Sequence, residues 1–130
     1  PDRGGIRHQF HHVTDITPTV LDVLGLKAPE QVNGIAQMPM HGTSLAYTFP
    51  AEAKAEPSRK GVQYFEMYGH RGIWANGWKA VALHAPISGK GHLDKDVWEL
   101  YHVDADPAES KNLAKEQPDK LQALVKAWFE

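Results

Sequence analysis

Val62-Gln-Tyr-Phe-Glu-Met-Tyr-Gly-His-Arg-Gly-Ile-Trp-Ala-Asn-Gly-Trp-Lys-Ala-Val-Ala-Leu-His84 is the stretch on which the fold turns. From Val62 the side-chain period is two: Val62, Tyr64, Glu66 and Tyr68 alternate with Gln63, Phe65 and Met67, and the residue types favour extended backbone. Gly69-His70 turns the chain, and Arg71 to Ala75 forms a second strand. Asn76-Gly77 then supplies the left-handed pair that a type I′ hairpin requires. Trp78 to His84 returns as the third strand, and Val97 to Val103 adds a fourth with Trp98, Leu100 and His102 on one face. Four consecutive strands predict an antiparallel sheet with one face in need of cover.

The cover is encoded further on. Pro118 opens a helix in which Leu121, Leu124, Val125 and Trp128 recur at i, i+3, i+4 and i+7, while Lys120 and Lys126 face out. Just before it, Asp106-Pro107-Ala108-Glu109 has the N-cap, N1 proline and N3 acid of a capping box, which predicts a short helical turn. Ala85 to Asp96, with Pro86, Gly89 and Gly91, is a longer excursion of the kind that forms a lid or rim. The class expected is α+β, a four-stranded antiparallel sheet packed by a C-terminal helix.

The first half follows a different grammar. In His12 to Leu26, Thr17 is placed to cap a helix, Pro18 sits in its first turn and Gly25 ends it. Ile16, Val20, Leu21 and Leu24 fall on one face, predicting a buried stripe with Asp22 pointing away. Lys27 to Met40 carries Pro29, Gly34 and Pro39 and is expected to be a loop, with a turn at Asn33-Gly34. Ala51 to Lys60 has the composition of a solvated linker. The organisation expected is therefore a helix and loop over 1–50, a linker over 51–60 and a sheet unit over 61–130.

At 130 residues, with 14 basic and 16 acidic side chains and a formal charge of -2, the chain has no field that favours nucleic acid or an anionic membrane. It has no cysteine, so disulfides and thiolate metal sites are excluded. No apolar run reaches the length of a membrane span, and the first residues lack the shape of a signal peptide. A soluble chain is expected, with the cytoplasm slightly favoured.

Three segments together resemble one family. Asp15-Ile16-x-Pro18-Thr19-x-Leu21-x-x-x-Gly25, then Tyr64-Phe65-Glu66-Met67-x-Gly69-x-Arg71-Gly72-Ile73 with Gly77-Trp78-Lys79-Ala80, then Trp98-Glu99-Leu100-Tyr101 with Asp106-Pro107-x-Glu109-x-x-Asn112-Leu113-Ala114, occur in the order found in the C-terminal part of bacterial arylsulfatases. These are formylglycine-dependent sulfatases of the alkaline phosphatase superfamily. The resemblance implies a preceding α/β catalytic domain to which the first helix and loop belong. It implies hydrolysis of sulfate esters to sulfate and an alcohol or phenol by the complete protein, using calcium and formylglycine, with this segment inert alone. A phosphatase or phosphonate hydrolase of the same superfamily would share much of the segment. A free-standing interaction module is the reading from another class.

No catalytic residue is assigned within this chain. The nucleophile of the family arises from Cys/Ser-x-Pro-x-Arg, and Ser44, Ser58, Ser88 and Ser110 all lack that context. Asp94, Asp96, Asp104 and Asp106 flank a strand and a cap rather than converging as calcium ligands do. Gly42-Thr43-Ser44-Leu45-Ala46 falls one residue short of a nucleophile elbow and lacks the strand that would deliver it, so Thr43 or Ser44 is expected to cap a helix. His70, Arg71, Lys90 and His92, at the turns of the sheet, are the candidates for a substrate-pocket rim that draws an anion. Trp74, Trp78 and Trp98 are expected in the core rather than on a ligand platform. His8, His11 and His12 have a spacing that on a helix would gather three imidazoles around zinc or copper, but Phe10 and Val13 favour an extended lead-in on which the rings diverge. No metal is therefore assigned. The partners expected are the catalytic domain and, for the complete enzyme, a sulfate ester; alone, the segment is expected to self-associate through the stripe of Val20, Leu21 and Leu24.

Overall fold

The computed structural model describes residues 4–84 and 91–130. The chain divides into two compact units, residues 1–60 and 61–130.

In the second unit the expected sheet forms. Strands β3 (Val62–Met67), β4 (His70–Ala75), β5 (Trp78–Ala82) and β6 (Trp98–His102) pair antiparallel in sequence order. The first unit holds the two shorter strands, β1 (Gln31–Val32) and β2 (Ile35–Ala36). Register places Tyr64, Ile73, Ala80 and Leu100 in one cross-strand row. Helix α2 (Pro118–Phe129) covers that row, and Leu124 joins Ile73, Ala80 and Leu100 in the core. Leu113, Leu121, Trp78, Trp98 and Trp128 pack around it. Trp128 is the anchor: it stacks on Tyr64 at 5.1 Å and donates from Nε1 to the Phe65 carbonyl at 3.0 Å. Burying apolar surface on this scale, at ~25 cal/mol per Å², is what lets so short a segment hold together.

The capping box expected at Asp106 does not form. Asp106-Pro107-Ala108-Glu109 is a turn closed by the Glu109 N–H on the Asp106 carbonyl at 3.0 Å, with Glu109 at φ 52°. The carboxylate of Glu109, which would have capped, instead accepts from Lys79 Nζ at 2.6 Å. Asp106 accepts from the Lys111 N–H and the Ser110 hydroxyl, which hold its carboxyl below the usual range. A pairing across 30 residues outcompetes the local cap.

The first unit is built on polar stitching. Helix α1 (Ile16–Leu24) ends at Gly25 as expected, with φ 66° and the Leu26 N–H returning to the Leu21 carbonyl at 2.9 Å. Its start differs: Thr17 does not cap. A 3-10 turn, Val13–Asp15, precedes the helix, and His12 is the capping residue, its ring accepting from the Thr14 N–H. The stripe expected to be buried also differs. Ile16, Val20 and Leu24 are 55, 50 and 63% exposed, and the buried face holds Asp15 and Thr19. Thr19 donates to the Asp15 carbonyl and accepts from the Leu45 N–H, so the loop docks through hydrogen bonds.

Within the loop, β1 (Gln31–Val32) and β2 (Ile35–Ala36) form a ribbon around Asn33-Gly34. The cap expected of Thr43 or Ser44 does not form: a 3-10 turn over Ala46–Thr48 has Leu45 at its N-cap with no side-chain cap, and Ser44 only accepts from the Ala46 N–H ahead of it. In place of a solvated linker over 51–60, Ala51–Ala55 is a 3-10 turn with Ala53 buried, and Lys60 is 3% exposed. The extended lead-in binds this segment: Arg7 donates to the carbonyls of Thr48 and Pro50, Gln9 to those of Ala53 and Glu56.

Candidate functional site

Two constellations of polar side chains stand out, one in each unit. The first surrounds Asp15, whose side chain is fully buried. Oδ1 accepts from Lys60 Nζ at 2.7 Å and the Thr43 N–H at 2.8 Å; Oδ2 accepts from the His12 N–H at 2.8 Å and His11 Nδ1 at 3.1 Å. Burial works to raise its pKa, but the Lys60 ammonium, the two backbone N–H groups and His11 outweigh it and hold the carboxyl far below the usual range. Every acceptor position on the carboxylate is therefore taken, and taken by donors that need it charged. This is a structural knot. It leaves neither a free base nor a ligand for a metal.

The second lies at the β3–β4 hairpin end of the sheet. Arg71 is 8% exposed, and its Nη2 donates to Asp96 Oδ2 at 2.6 Å and the Leu93 carbonyl at 3.1 Å. Its guanidinium lies 5.2 Å from the Trp98 ring and 5.7 Å from the Trp128 ring. Asp96 also meets His84 Nδ1 at 2.9 Å, and the His84 N–H donates to His70 Nδ1 at 3.1 Å. That last bond assigns the His70 tautomer: Nδ1 accepts, so in the neutral ring Nε2 carries the proton.

Of the four expected rim residues, the structure brings two together. His70 is half-buried at the hairpin end. Arg71, expected at an open turn, is buried on the sheet's helix face, its Nη2 paired with Asp96, 25 residues on, and its Nε without a hydrogen-bond partner among the described residues. His92 is exposed, 3.9 Å from an equally exposed Asp94. Lys90 lies outside the described residues. Trp74 is buried, Trp78 and Trp98 are half-buried against the core, and none forms an open platform.

His11 and His12 go to different partners, Asp15 and Thr14, and His8 is exposed. Among the described residues no three His, Asp or Glu side chains converge as a metal site would require. The Asp15–Lys60 pair escaped sequence reading because nothing local marks a lysine in a polar segment as the counter-ion of a residue 45 positions earlier.

No protein-family model matches the chain. It is 30% identical over 127 residues to an uncharacterized sulfatase of Schizosaccharomyces pombe, an alignment covering 95% of this chain and 21% of that protein. It is 24% identical over 117 residues to arylsulfatase K of Xenopus laevis, covering 88% of this chain and 20% of the relative. The chain thus spans about a fifth of the length of the curated relatives it matches. Among solved structures, one from work on the metabolism of multiple glycosaminoglycans by Bacteroides thetaiotaomicron superposes with a TM-score of 0.58 at 23% identity, covering 87% of this chain and 23% of that one. Another, solved in complex with its substrate D-glucosamine-2-N,6-O-disulfate, superposes with a TM-score of 0.51 at 22% identity, covering 88% and 22%. These structural likenesses carry the fold.

Proposed function

The chain is related to the sulfatases over nearly its whole length, and on that premise we propose that it forms the C-terminal part of a sulfatase whose complete polypeptide hydrolyses sulfate esters, aryl sulfates among them. The observation that carries the reading is the alignment itself, which takes in 95% of this chain but 21% of the relative. A piece of that proportion fits a supporting unit of a larger enzyme. The chemistry belongs to a catalytic domain that is its natural partner.

Formylglycine and calcium, implied for such an enzyme, do not fit the residues of this chain. There is no cysteine, and no serine is followed by the x-Pro-x-Arg that formylglycine formation needs. Buried Asp15 is saturated by a lysine, a histidine and two N–H groups, and Asp96 is shared between Arg71 and His84. A cation would have to displace charged donors already in place. The contribution of this unit is positional: a rigid sheet, locked by α2, that presents its hairpin end with His70 as an N–H donor for an anionic ester.

The test compares the 130-residue chain with the complete polypeptide that carries it, using para-nitrophenyl sulfate and para-nitrophenyl phosphate. The expected result is sulfate release by the complete polypeptide and none by the chain alone. Turnover by the isolated chain, or a complete polypeptide that prefers the phosphate ester, overturns the reading.

A further inference from the structure

Three two-residue turns among the described residues pair a left-handed non-glycine with a left-handed glycine. Asn33-Gly34 has φ of 52° and 79°, Asn76-Gly77 has 48° and 80°, and Tyr68-Gly69 has 53° and 89°. Asparagine is what such a turn favours; a bulky aromatic there is strained. Yet Tyr68 is 72% exposed, so packing among the described residues does not account for the choice. The Gly69 N–H donates to Glu66 Oε1 at 2.9 Å, and the turn passes so close to the His84 ring that a Cβ on Gly69 would lie 2.7 Å from it, so the glycine has to sit second and the tyrosine first. Strain fixed in this way concentrates at functional positions.

What surrounds Tyr68 defines a ligand. Met67 and Leu83 are 62 and 71% exposed. Met67 pairs with His70, and the pairing of Arg71 with Ala82 brings Leu83 beside His70 as well. His70, held by the His84 N–H at Nδ1, offers Nε2–H as a donor. An aromatic face, two apolar side chains and one N–H donor complement a ring that bears an oxygen acceptor.

We infer that this hairpin end binds the ring of the ester's alcohol portion, with Tyr68 stacking on it and His70 donating to one of its oxygens. The inference rests on the sulfatase reading above and assigns Tyr68 a specificity-determining role. It leaves Arg71 out, because Asp96 and Leu93 already hold it.

Tyr68→Asn is the informative variant, since asparagine occupies the same position in the other two turns and should fold at least as well. In the complete polypeptide the KM for para-nitrophenyl sulfate is expected to rise roughly tenfold, the scale of one lost aromatic contact, with kcat moving less. Inhibition by inorganic sulfate, which has no ring, stays put, Tyr68→Phe brings KM back, and Tm does not fall. A complete polypeptide inert toward the ester sinks the sulfatase reading and this inference with it. An active one whose KM is indifferent to Tyr68→Asn overturns this inference alone. So does a KM that rises only together with the inhibition constant for sulfate, or together with a drop in Tm.

Discussion

Asp15 and Lys60 show how much of the first unit depends on one pair of charges. Neither is exposed by more than 3%, and they meet at 2.7 Å. Asp15→Asn leaves a buried ammonium without its counter-ion, and the expected loss is ~3–5 kcal/mol, read from urea unfolding of the chain. The same pair sets an acid limit. The folded carboxyl is held below its unfolded value of ~3.9, so its stabilisation is complete above that pH and drains away as pH falls further. Unfolding free energy is expected to drop steeply below about pH 4 in the native chain and to drop less in Asp15→Asn.

Tyr101 has the opposite sign. Its hydroxyl donates to Glu99 Oε2 at 2.8 Å, and that bond, with burial and the surrounding acids, pushes its pKa up to about 12. The stabilisation is present below the unfolded value of ~10 and lost as pH rises toward the folded one. An ultraviolet titration of Glu99→Gln should bring one tyrosine back toward ~10; an unchanged titration curve would separate the shift from Glu99.

At the scale of elements, the turns and the terminal helix bear the consequences. In Gly77, φ is 80°, and an added Cβ would collide with the Asp104 carboxylate. Gly77→Ala should therefore cost well over the ~1 kcal/mol of the left-handed conformation alone. Leu124, the buried contact of α2, is 6% exposed, and Leu124→Ala should cost ~2–5 kcal/mol. Thermal melts followed by circular dichroism test both. A melt unaltered by Leu124→Ala would mean that α2 does not hold the sheet.

These elements were legible because their signals are local. The period of two over Val62–Met67, the Asn76-Gly77 turn, and the apolar spacing from Leu121 to Trp128 each lie within one element, and register then follows. Where distant residues decide, the sequence misleads. Glu109 left its capping position for Lys79, and Arg71 left the rim for Asp96. The apolar stripe of α1 stayed open while Asp15 and Thr19 turned inward. Of the candidate site, His70 was legible as a residue at a turn. Tyr68 was not, because a tyrosine in an alternating run reads as strand until its φ is known.

At the scale of the whole molecule, the two units have different kinds of interior. Among the described residues of 61–130, Ile73, Trp74, Ala80, Ala82, Leu100 and Leu124 are buried, alongside the polar Arg71 and His84. Among those of 1–60, the buried side chains are Asp15, Thr19, Thr48, Lys60 and the small Ala53. Hydrogen bonds contribute only ~1 kcal/mol each net of water, so a unit stitched by them has little to offset the ~1–2 kcal/mol per residue of backbone ordering. Residues 61–130 expressed alone are therefore expected to melt cooperatively, and residues 1–60 alone to give the poorly dispersed amide spectrum of an unfolded chain. The first unit also leaves Ile16, Val20, Val23 and Leu24 at 50–63% exposure along one short helix. In the complete enzyme proposed above, the catalytic domain would cover them. Without it, the 130-residue chain should associate through that face, with light scattering giving a mass that rises with concentration and Val20→Lys with Leu24→Lys restoring the monomer. A native chain that stays monomeric at high concentration, with α1 protected from hydrogen exchange, would show that the helix needs no cover and would remove the physical reason for assigning it to a larger protein.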